Sequence, residues 1–165
     1  MIAVQLNAFR LNDLEIVLHP VTVLNVMEEV EDDVDVDPAE RADRGFWERK
    51  ASPSFLEVID NIVANLRGDG KEPRITYNRH HIAMGTTGYN FCWFHPRTRL
   101  GNCHIECRLT SDSRDEAVTQ LQNEGIDASP IRTDNVAFIV TPATLAAHST
   151  AIMDVLKRAE EASKR

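Results

Sequence analysis

The sequence predicts an α+β domain, in which an antiparallel β-sheet carries helices on one side. Two observations carry this prediction. Several segments alternate apolar and polar residues with the period of two that half-buried strands require, and others repeat apolar residues every three or four positions, as amphipathic helices do. The elements follow the order α-β-β-β-α-β-α after an N-terminal β-hairpin, and consecutive strands of this kind favour antiparallel pairing.

Length and composition fit one domain with an appendage. The chain has 165 residues, of which 42% are hydrophobic and 27% charged, so it can bury a core. A net charge of −8 argues against a protein that coats nucleic acid or an anionic membrane with its whole surface. No apolar run reaches the roughly 18–20 residues that a transmembrane helix needs. The first residues lack the pattern of a signal peptide, and three cysteines without such a signal predict free thiols in the cytoplasm.

Residues 1–27 predict a β-hairpin appendage. Strands at Ile2–Phe9 and Leu14–Val23 flank the turn residues Asn12-Asp13. The chain starts directly on a strand residue, which suggests a truncated form of a longer ancestor. A two-stranded hairpin is marginal in water, so it must pack on the rest of the chain or on another chain.

Residues 28–45 predict an acidic linker. Eight carboxylates and no basic residue lie between positions 28 and 40. Such a charge run is typical of a solvated connection, with an interaction tail or a metal-attracting loop as the alternative.

The main α+β domain is predicted over residues 46–165. Its first helix starts at a capping box formed by Ser54 and Glu57, or with Pro53 in the first turn, and has apolar residues at helical spacing up to Leu66. Three strands follow, at about Arg74–Met84, Tyr89–His95 and Asn102–Thr110.

The second half of this domain predicts two more helices and one strand. A second capping box, formed by Ser113 and Glu116, opens a helix that runs through Glu124. The apolar run Val136–Val140 predicts a further strand, and Thr141-Pro142 starts the longest helix.

We expect a functional surface in the stretch from Lys71 to Leu109. This stretch contains all three cysteines and four of the six histidines. Its six basic and two acidic residues give it a net charge of +4 in an otherwise acidic chain. Three kinds of chemistry are therefore considered for it: zinc binding, acid–base catalysis and nucleic-acid binding.

A zinc site is suggested by the residue types, but the spacing argues against it. Cys92, His95, Cys103 and Cys107 form a C-x2-H…C-x3-C array of zinc-binding residues. Residues four apart on a strand are roughly 13 Å apart, so Cys103 and Cys107 cannot share an ion or form a disulfide. Cys92 and His95 point to opposite faces. We therefore predict buried thiols, no metal site and no cofactor.

A histidine–carboxylate site is the basis of a catalytic hypothesis. His104, Glu106 and Arg108 share one face of their strand, and a neighbouring strand could add His80 or His81. Alternating polar residues are equally typical of any half-exposed strand. No nucleophile elbow, P-loop or HExxH motif accompanies them, so no catalytic residue is assigned.

A basic, aromatic sheet surface is the basis of the nucleic-acid hypothesis. If His95 pairs with Asn102, both Trp93 and Phe91 share a face with His104, Glu106 and Arg108, and form an aromatic, basic surface. If His95 pairs with Cys103, Trp93 and Phe91 belong to the core, and the sequence leaves both registers open. The candidate surface for nucleic acid or another ligand consists of Arg79, His80, Trp93, His95, Arg97, Arg99, His104 and Arg108.

Five segments carry a family resemblance: the helix before the sheet, the strands NFCWFHPR and CHIECRL, the segment RDEAVTQLQNEGID and a closing helix that ends in LKRAEEA. From Phe46 onward they resemble a small, uncharacterised bacterial α+β module that occurs alone or after restriction-endonuclease-like PD-(D/E)XK domains. The segment AVQLNAFRLNDLEIVLHP looks like the last strands of such a nuclease domain, but Gln5-Leu6-Asn7 stands where the nuclease has E-x-K. The resemblance implies that the hairpin is a catalytically inactive remnant of such a nuclease domain. It also implies a bacterial cytoplasmic context and DNA-linked biology, and it assigns no residue a role.

We predict a non-catalytic domain that forms a homo-oligomer or binds a partner protein through the N-terminal hairpin, whose outer strand edges are unpaired. The alternative is a nucleic-acid-binding accessory module that uses the central sheet. A small enzyme with a His/Glu site is the second alternative. No membrane partner is predicted.

Overall fold

The computed structural model describes residues 2–10, 16–25, 42–67, 73–86, 89–97 and 101–164, with the backbone alone for 2–10 and 16–25. The chain divides into two compact units, residues 1–37 and 38–165. This division falls inside the predicted linker over 28–45, most of which lies outside the described residues.

The smaller unit contains the predicted hairpin. Strand β1 (Ile2–Arg10) pairs antiparallel with β2 (Ile16–Asn25). The register places Leu6 opposite Pro20, and an irregularity separates the pairing of residues 2–3 from that of residues 4–10. The predicted turn at positions 12 and 13 lies outside the described residues.

The larger unit combines helices with an antiparallel sheet, which confirms the predicted α+β class. Its strands are arranged in the order β3-β4-β5-β6-β8-β7, with every neighbouring pair antiparallel. Within the described part of the chain, no helix combines the length and the apolar character needed to cross a membrane. In chain order the elements are α1 (Arg44–Lys50), α2 (Pro53–Arg67), β3 (Arg74–Tyr77), β4 (Ile82–Gly85), β5 (Asn90–Arg97), β6 (Asn102–Arg108), α3 (Ser111–Asn123), β7 (Ala128–Ile131), β8 (Asn135–Val140), α4 (Pro142–Ala147) and α5 (Ser149–Ala162).

Two strands differ from the sequence-based prediction. The single strand expected over Arg74–Met84 is a hairpin of β3 and β4, because the amide of Asn78 donates to the carbonyl of His81 at 3.0 Å and closes a turn. Strand β7 was not expected, since it is only four residues long and contains Pro130. It lies at the edge of the sheet, where a missing amide hydrogen is tolerated.

Helix α2 begins with Pro53, which was one of the two predicted starts. The hydroxyl of Ser52 accepts the amide hydrogen of Phe55 at 3.3 Å, so Ser52 caps the first turn. The capping box predicted at Ser54 is wrong, because its hydroxyl instead donates to the carbonyl of Gly101 at 2.9 Å.

The later helices also start or divide at unexpected residues. Helix α3 is capped by Thr110, whose hydroxyl accepts from the amide of Ser113 at 3.4 Å, and so the capping box predicted at Ser113 is wrong. The helix predicted after Thr141-Pro142 is divided at His148 into α4 and α5. With 15 residues, α2 is the longest described helix.

The core lies on one face of the sheet. Phe94, Ile105 and Phe138 stand opposite one another on β5, β6 and β8, and each is at most 1% exposed. Helices α2 and α5 contribute fully buried apolar residues to this core, including Phe55, Ile62, Ile152 and Leu156. Because successive residues of a strand point to opposite faces, the residues between them define the second face of the sheet.

Candidate functional site

The second face of the sheet carries most of the predicted site residues. Strand β5 pairs with β6 so that His95 stands opposite His104 and Trp93 opposite Glu106. This register differs by two residues from the first predicted alternative, and a shift of two keeps the same faces. We call this surface the polar face and define it by Trp93, His95, Arg97, His104, Glu106 and Arg108.

Phe91 is not part of the exposed surface. It is 1% exposed, whereas Trp93 is half-buried. Strand β4 has an irregularity in its pairing with β5 between Met84 and Gly85, at the level of Phe91. The polar face therefore offers a single aromatic residue on β5, where the sequence suggested two.

Three histidines form a row across neighbouring strands. The ring centroids of His81 and His95 are 5.5 Å apart, and those of His95 and His104 are 5.7 Å apart. The side-chain amide of Asn78 donates to Nε2 of His81 at 3.1 Å, which fixes the ring of His81 at one end of the row. Of the two histidines predicted as partners from the neighbouring strand, His81 joins this row.

Glu106 lies beside two of these histidines. Its Oε1 atom is 3.8 Å from Nε2 of His95 and 4.0 Å from Nδ1 of His104. Both distances exceed the length of a direct hydrogen bond. Nδ1 of His104 is fully buried and has no hydrogen-bond partner within the part of the chain that the structure describes. We call His95, His104 and Glu106 the histidine–glutamate cluster.

Burial sets the protonation of this cluster. Desolvation lowers the pKa of His95 to about 4, helped by His81 and Arg97. Desolvation likewise lowers the pKa of His104 to about 4, and Arg97 and His95 add to the effect. Burial raises the pKa of Glu106, although the positive charges of Arg132 and Arg97 act to lower it. Both histidines are therefore neutral at pH 7.

Trp93 is already covered by a cation. The guanidinium carbon of Arg108 lies 5.1 Å from the centroid of the Trp93 ring, within the range of a cation–π contact. Nε of Arg108 is also 3.8 Å from a carboxylate oxygen of Asp134. A base that stacks on Trp93 would have to displace this guanidinium.

The other predicted site residues lie apart from the cluster. Arg79 and His80 are in the turn between β3 and β4, and His80 is exposed. The carbonyl of Arg79 accepts a hydrogen bond from Nζ of Lys50 at 2.9 Å. Arg99 lies outside the described residues.

The cysteines lie on the buried face of the sheet, as predicted for apolar thiols. Cys92 and Cys107 stand opposite one another, and their sulfur atoms are 3.7 Å apart. Burial raises the pKa of Cys92 and of Cys103 well above the ordinary value. His95 occupies the other face, and among the described residues no three histidine, cysteine or acidic side chains stand close enough to share a metal ion.

Two residues near the polar face were not predicted from the sequence as part of the site. Asn135 of β8 stands opposite Arg108 and is 4% exposed, and its side-chain oxygen has no hydrogen-bond partner in the described part of the chain. Arg132 lies in the turn before β8 and has a positive φ of 56°. Its positive charge acts to lower the pKa of Glu106, against the effect of burial. A polar residue at the start of an apolar run was the only sequence signal for Asn135.

In comparisons with family models, with curated proteins and with solved structures, nothing matches the chain. The resemblance to the bacterial α+β module stays a prediction.

Proposed function

We propose that the protein is a non-catalytic interaction domain that forms a homodimer through its N-terminal hairpin. The observation that supports this proposal is the isolation of the hairpin as a sheet. Within the described residues, β1 and β2 pair only with each other, although they are nine and ten residues long. Such a ribbon has two long edges of unpaired backbone groups, which readily accept a further strand.

The outer edge of β1 is the better docking edge. Proline has no amide hydrogen, so it is accommodated in a strand where its nitrogen faces away from the paired strand. We therefore expect Pro20 to interrupt the outer edge of β2, opposite Leu6. Strand β1 contains no proline and keeps its donors. Antiparallel pairing of β1 with β1 of a second copy would give a four-stranded sheet with two-fold symmetry.

Native mass spectrometry over a concentration series tests this proposal. We expect the full-length protein to be a dimer and a variant that lacks residues 1–25 to be a monomer. Adjacent strand residues direct their amide groups to opposite edges, so one of Gln5→Pro and Leu6→Pro should block the outer edge of β1 while the other disturbs its pairing with β2. A monomeric full-length protein, or a dimer that survives the deletion, would contradict the proposal.

A bacterial cytoplasm is part of the same proposal. The three cysteines are free and buried, and two of them lie opposite each other without forming a disulfide. Free thiols in such proximity favour a reducing compartment. The bacterial, DNA-linked context depends on the family resemblance alone.

Nucleic-acid binding by the polar face is the second candidate function. It is favoured by one observation: Trp93 shares a face with Arg97 and Arg108. It ranks second because Arg108 already covers the ring and faces Asp134.

Fluorescence anisotropy with labelled single-stranded RNA and DNA tests the second candidate. Arg97→Ala combined with Arg108→Ala should weaken binding and reduce the slope of log K against log salt by about 0.7 per lost phosphate contact. Arg67→Ala, on α2, is the matched control for the loss of positive charge. Binding that is equal in the double variant and in the control would exclude this surface.

A further inference from the structure

Cys92 and Cys107 form a pair across neighbouring strands, on the buried face of the sheet. Strands β5 and β6 run antiparallel, and their register sets the two residues directly opposite each other. The thiol of Cys107 donates a hydrogen bond to the sulfur of Cys92 at 3.7 Å. Both side chains are free thiols, so two oxidisable sulfur atoms are in contact at one point of the fold.

The position of this pair meets the geometric requirements of a disulfide. Opposed residues of two antiparallel strands have Cα atoms roughly 4.5–5.5 Å apart, and a disulfide spans about 4.4–6.8 Å between Cα atoms. The sulfur atoms must approach from 3.7 Å to about 2.05 Å, the length of an S–S bond. Rotations about the two Cα–Cβ bonds, with a small approach of the strands, bring the sulfur atoms to this distance.

Cys103 is the internal comparison for this pair. It is buried and lies on β6, but it stands opposite Pro96 of β5 and Val140 of β8. Residues four apart on a strand are roughly 13 Å apart, so Cys103 can reach neither Cys107 nor its partner Cys92. All three thiols are buried, and position in the sheet alone gives two of them a cysteine partner.

The burial of the pair determines which oxidant can act on it. Both side chains are 0% exposed, so a bulky disulfide such as oxidised glutathione cannot reach them in the folded chain. Hydrogen peroxide is small and uncharged and needs no docking surface. Thiolates react with it, and burial raises the pKa of Cys92, so we expect the oxidation to be slow.

We propose that Cys92 and Cys107 are a redox-sensitive site, in which hydrogen peroxide converts the two thiols into a cross-strand disulfide. One thiolate attacks a peroxide oxygen, which breaks the O–O bond, releases hydroxide and leaves a sulfenic acid. The other thiolate attacks that sulfur, forms the S–S bond and expels the second oxygen as hydroxide. The two thiol protons convert both hydroxides to water. The sulfur atoms together lose two electrons, and the peroxide gains them.

The disulfide would link the two strands that carry the polar face. Trp93 follows Cys92 and Glu106 precedes Cys107, and Trp93 and Glu106 are themselves opposite each other. A covalent bond between residues 92 and 107 therefore fixes the register on which the polar face depends. The proposal is independent of the hairpin interface, since both cysteines belong to β5 and β6.

The experiment uses the reduced full-length protein, incubated without denaturant in millimolar hydrogen peroxide. Catalase then removes the peroxide, and the chain is alkylated with iodoacetamide in urea before mass spectrometry. All three cysteines should be alkylated before oxidation and only Cys103 after it, with a peptide map that links Cys92 to Cys107. Dithiothreitol should restore all three thiols.

Single variants separate the pair from the third thiol. Cys103→Ala is the matched control, because it removes a buried cysteine outside the pair, and it should still form the link. Cys92→Ala and Cys107→Ala should each form no link within the chain, and both of their remaining cysteines should still be alkylated after oxidation.

The peptide map of the unaltered protein is a test that does not depend on variants folding. The proposal is overturned if all three cysteines are still alkylated after oxidation, if the link involves Cys103, or if it joins two chains. Sulfinic or sulfonic acids on Cys92 and Cys107 in place of the link would also overturn it. So would a link that forms only when urea is present during oxidation, because the folded sheet would then not bring the pair together.

Discussion

Acidifying the protein from pH 7 to pH 4 is expected to destabilise it through His95 and His104. Each has an ordinary pKa of 6.5 and a folded-state pKa of about 4. As the pH falls through 6.5, the unfolded chain takes up these protons while the folded chain does not, so the free energy of unfolding decreases. The loss continues until the pH reaches the folded-state value near 4 and then ends.

The magnitude follows from the size of the pKa change and from exposure. At 1.36 kcal/mol per pKa unit, a fully effective change from 6.5 to about 4 corresponds to at most about 3.4 kcal/mol per histidine. His95 is 34% exposed, so solvent screening reduces its share to roughly half. Glu106 acts in the opposite direction, because its raised pKa lets the folded state take up a proton first. We expect a net loss of about 2–4 kcal/mol between pH 7 and pH 4.

Urea unfolding at a series of pH values measures this loss of stability. In the double variant His95→Gln/His104→Gln the loss of stability over that range should disappear, because only the opposite contribution of Glu106 remains. His80→Gln controls for the removal of a histidine and should follow the unaltered protein. Parallel curves for the unaltered protein and the double variant would refute the reasoning.

Three further outcomes are expected. Gly85→Ala should lower the free energy of unfolding by more than about 2 kcal/mol, because a Cβ atom at this position would lie 2.2 Å from the carbonyl oxygen of Tyr89. The control is Gly45→Ala, where the nearest atom to an added Cβ is 3.4 Å away. Equal losses of stability for the two variants in urea unfolding would contradict the prediction. Phe138→Ala should cost about 3–5 kcal/mol because its ring is 1% exposed, and a loss below about 1 kcal/mol would place it outside the core. Ellman's reagent should not react within minutes with the three buried cysteines of the native protein, but it should react with all three in urea. Rapid labelling without urea would show that the thiols are accessible and would contradict the prediction.

The sequence predicted three of the six strands of the larger sheet, β5, β6 and β8, but not the register between β5 and β6. The segments expected at Tyr89–His95 and Val136–Val140 correspond to β5 and β8 within two residues at each end. Alternation with a period of two identifies a strand and its two faces, but it does not say which residue stands opposite which. The pairing of His95 with His104 depends on the connection between β5 and β6, which the pattern does not encode.

The candidate site could be predicted only in part for the same reason. His104 and Glu106 share a strand, so their common face followed from the spacing. The contribution of His81 and the burial of Asn135 depend on neighbouring strands and on side-chain packing. The predicted helix starts were wrong for another reason, because a serine followed by a glutamate three residues later also occurs by chance. In the structure, Ser52 caps α2 and Thr110 caps α3.

The position of β8 has a consequence for synthesis on the ribosome. Strands β3 to β6 form consecutive hairpins, but the next neighbour of β6 is β8, which emerges only after α3 and β7. The 26 residues 109–134 separate the two strands, so translation at about 5–20 residues per second leaves the outer edge of β6 unpaired for about 1–5 seconds. During this interval the nascent chain presents an open strand that contains Cys103, Ile105 and Cys107. Slower translation of α3 would lengthen the period in which a chaperone, or another nascent chain, can bind there.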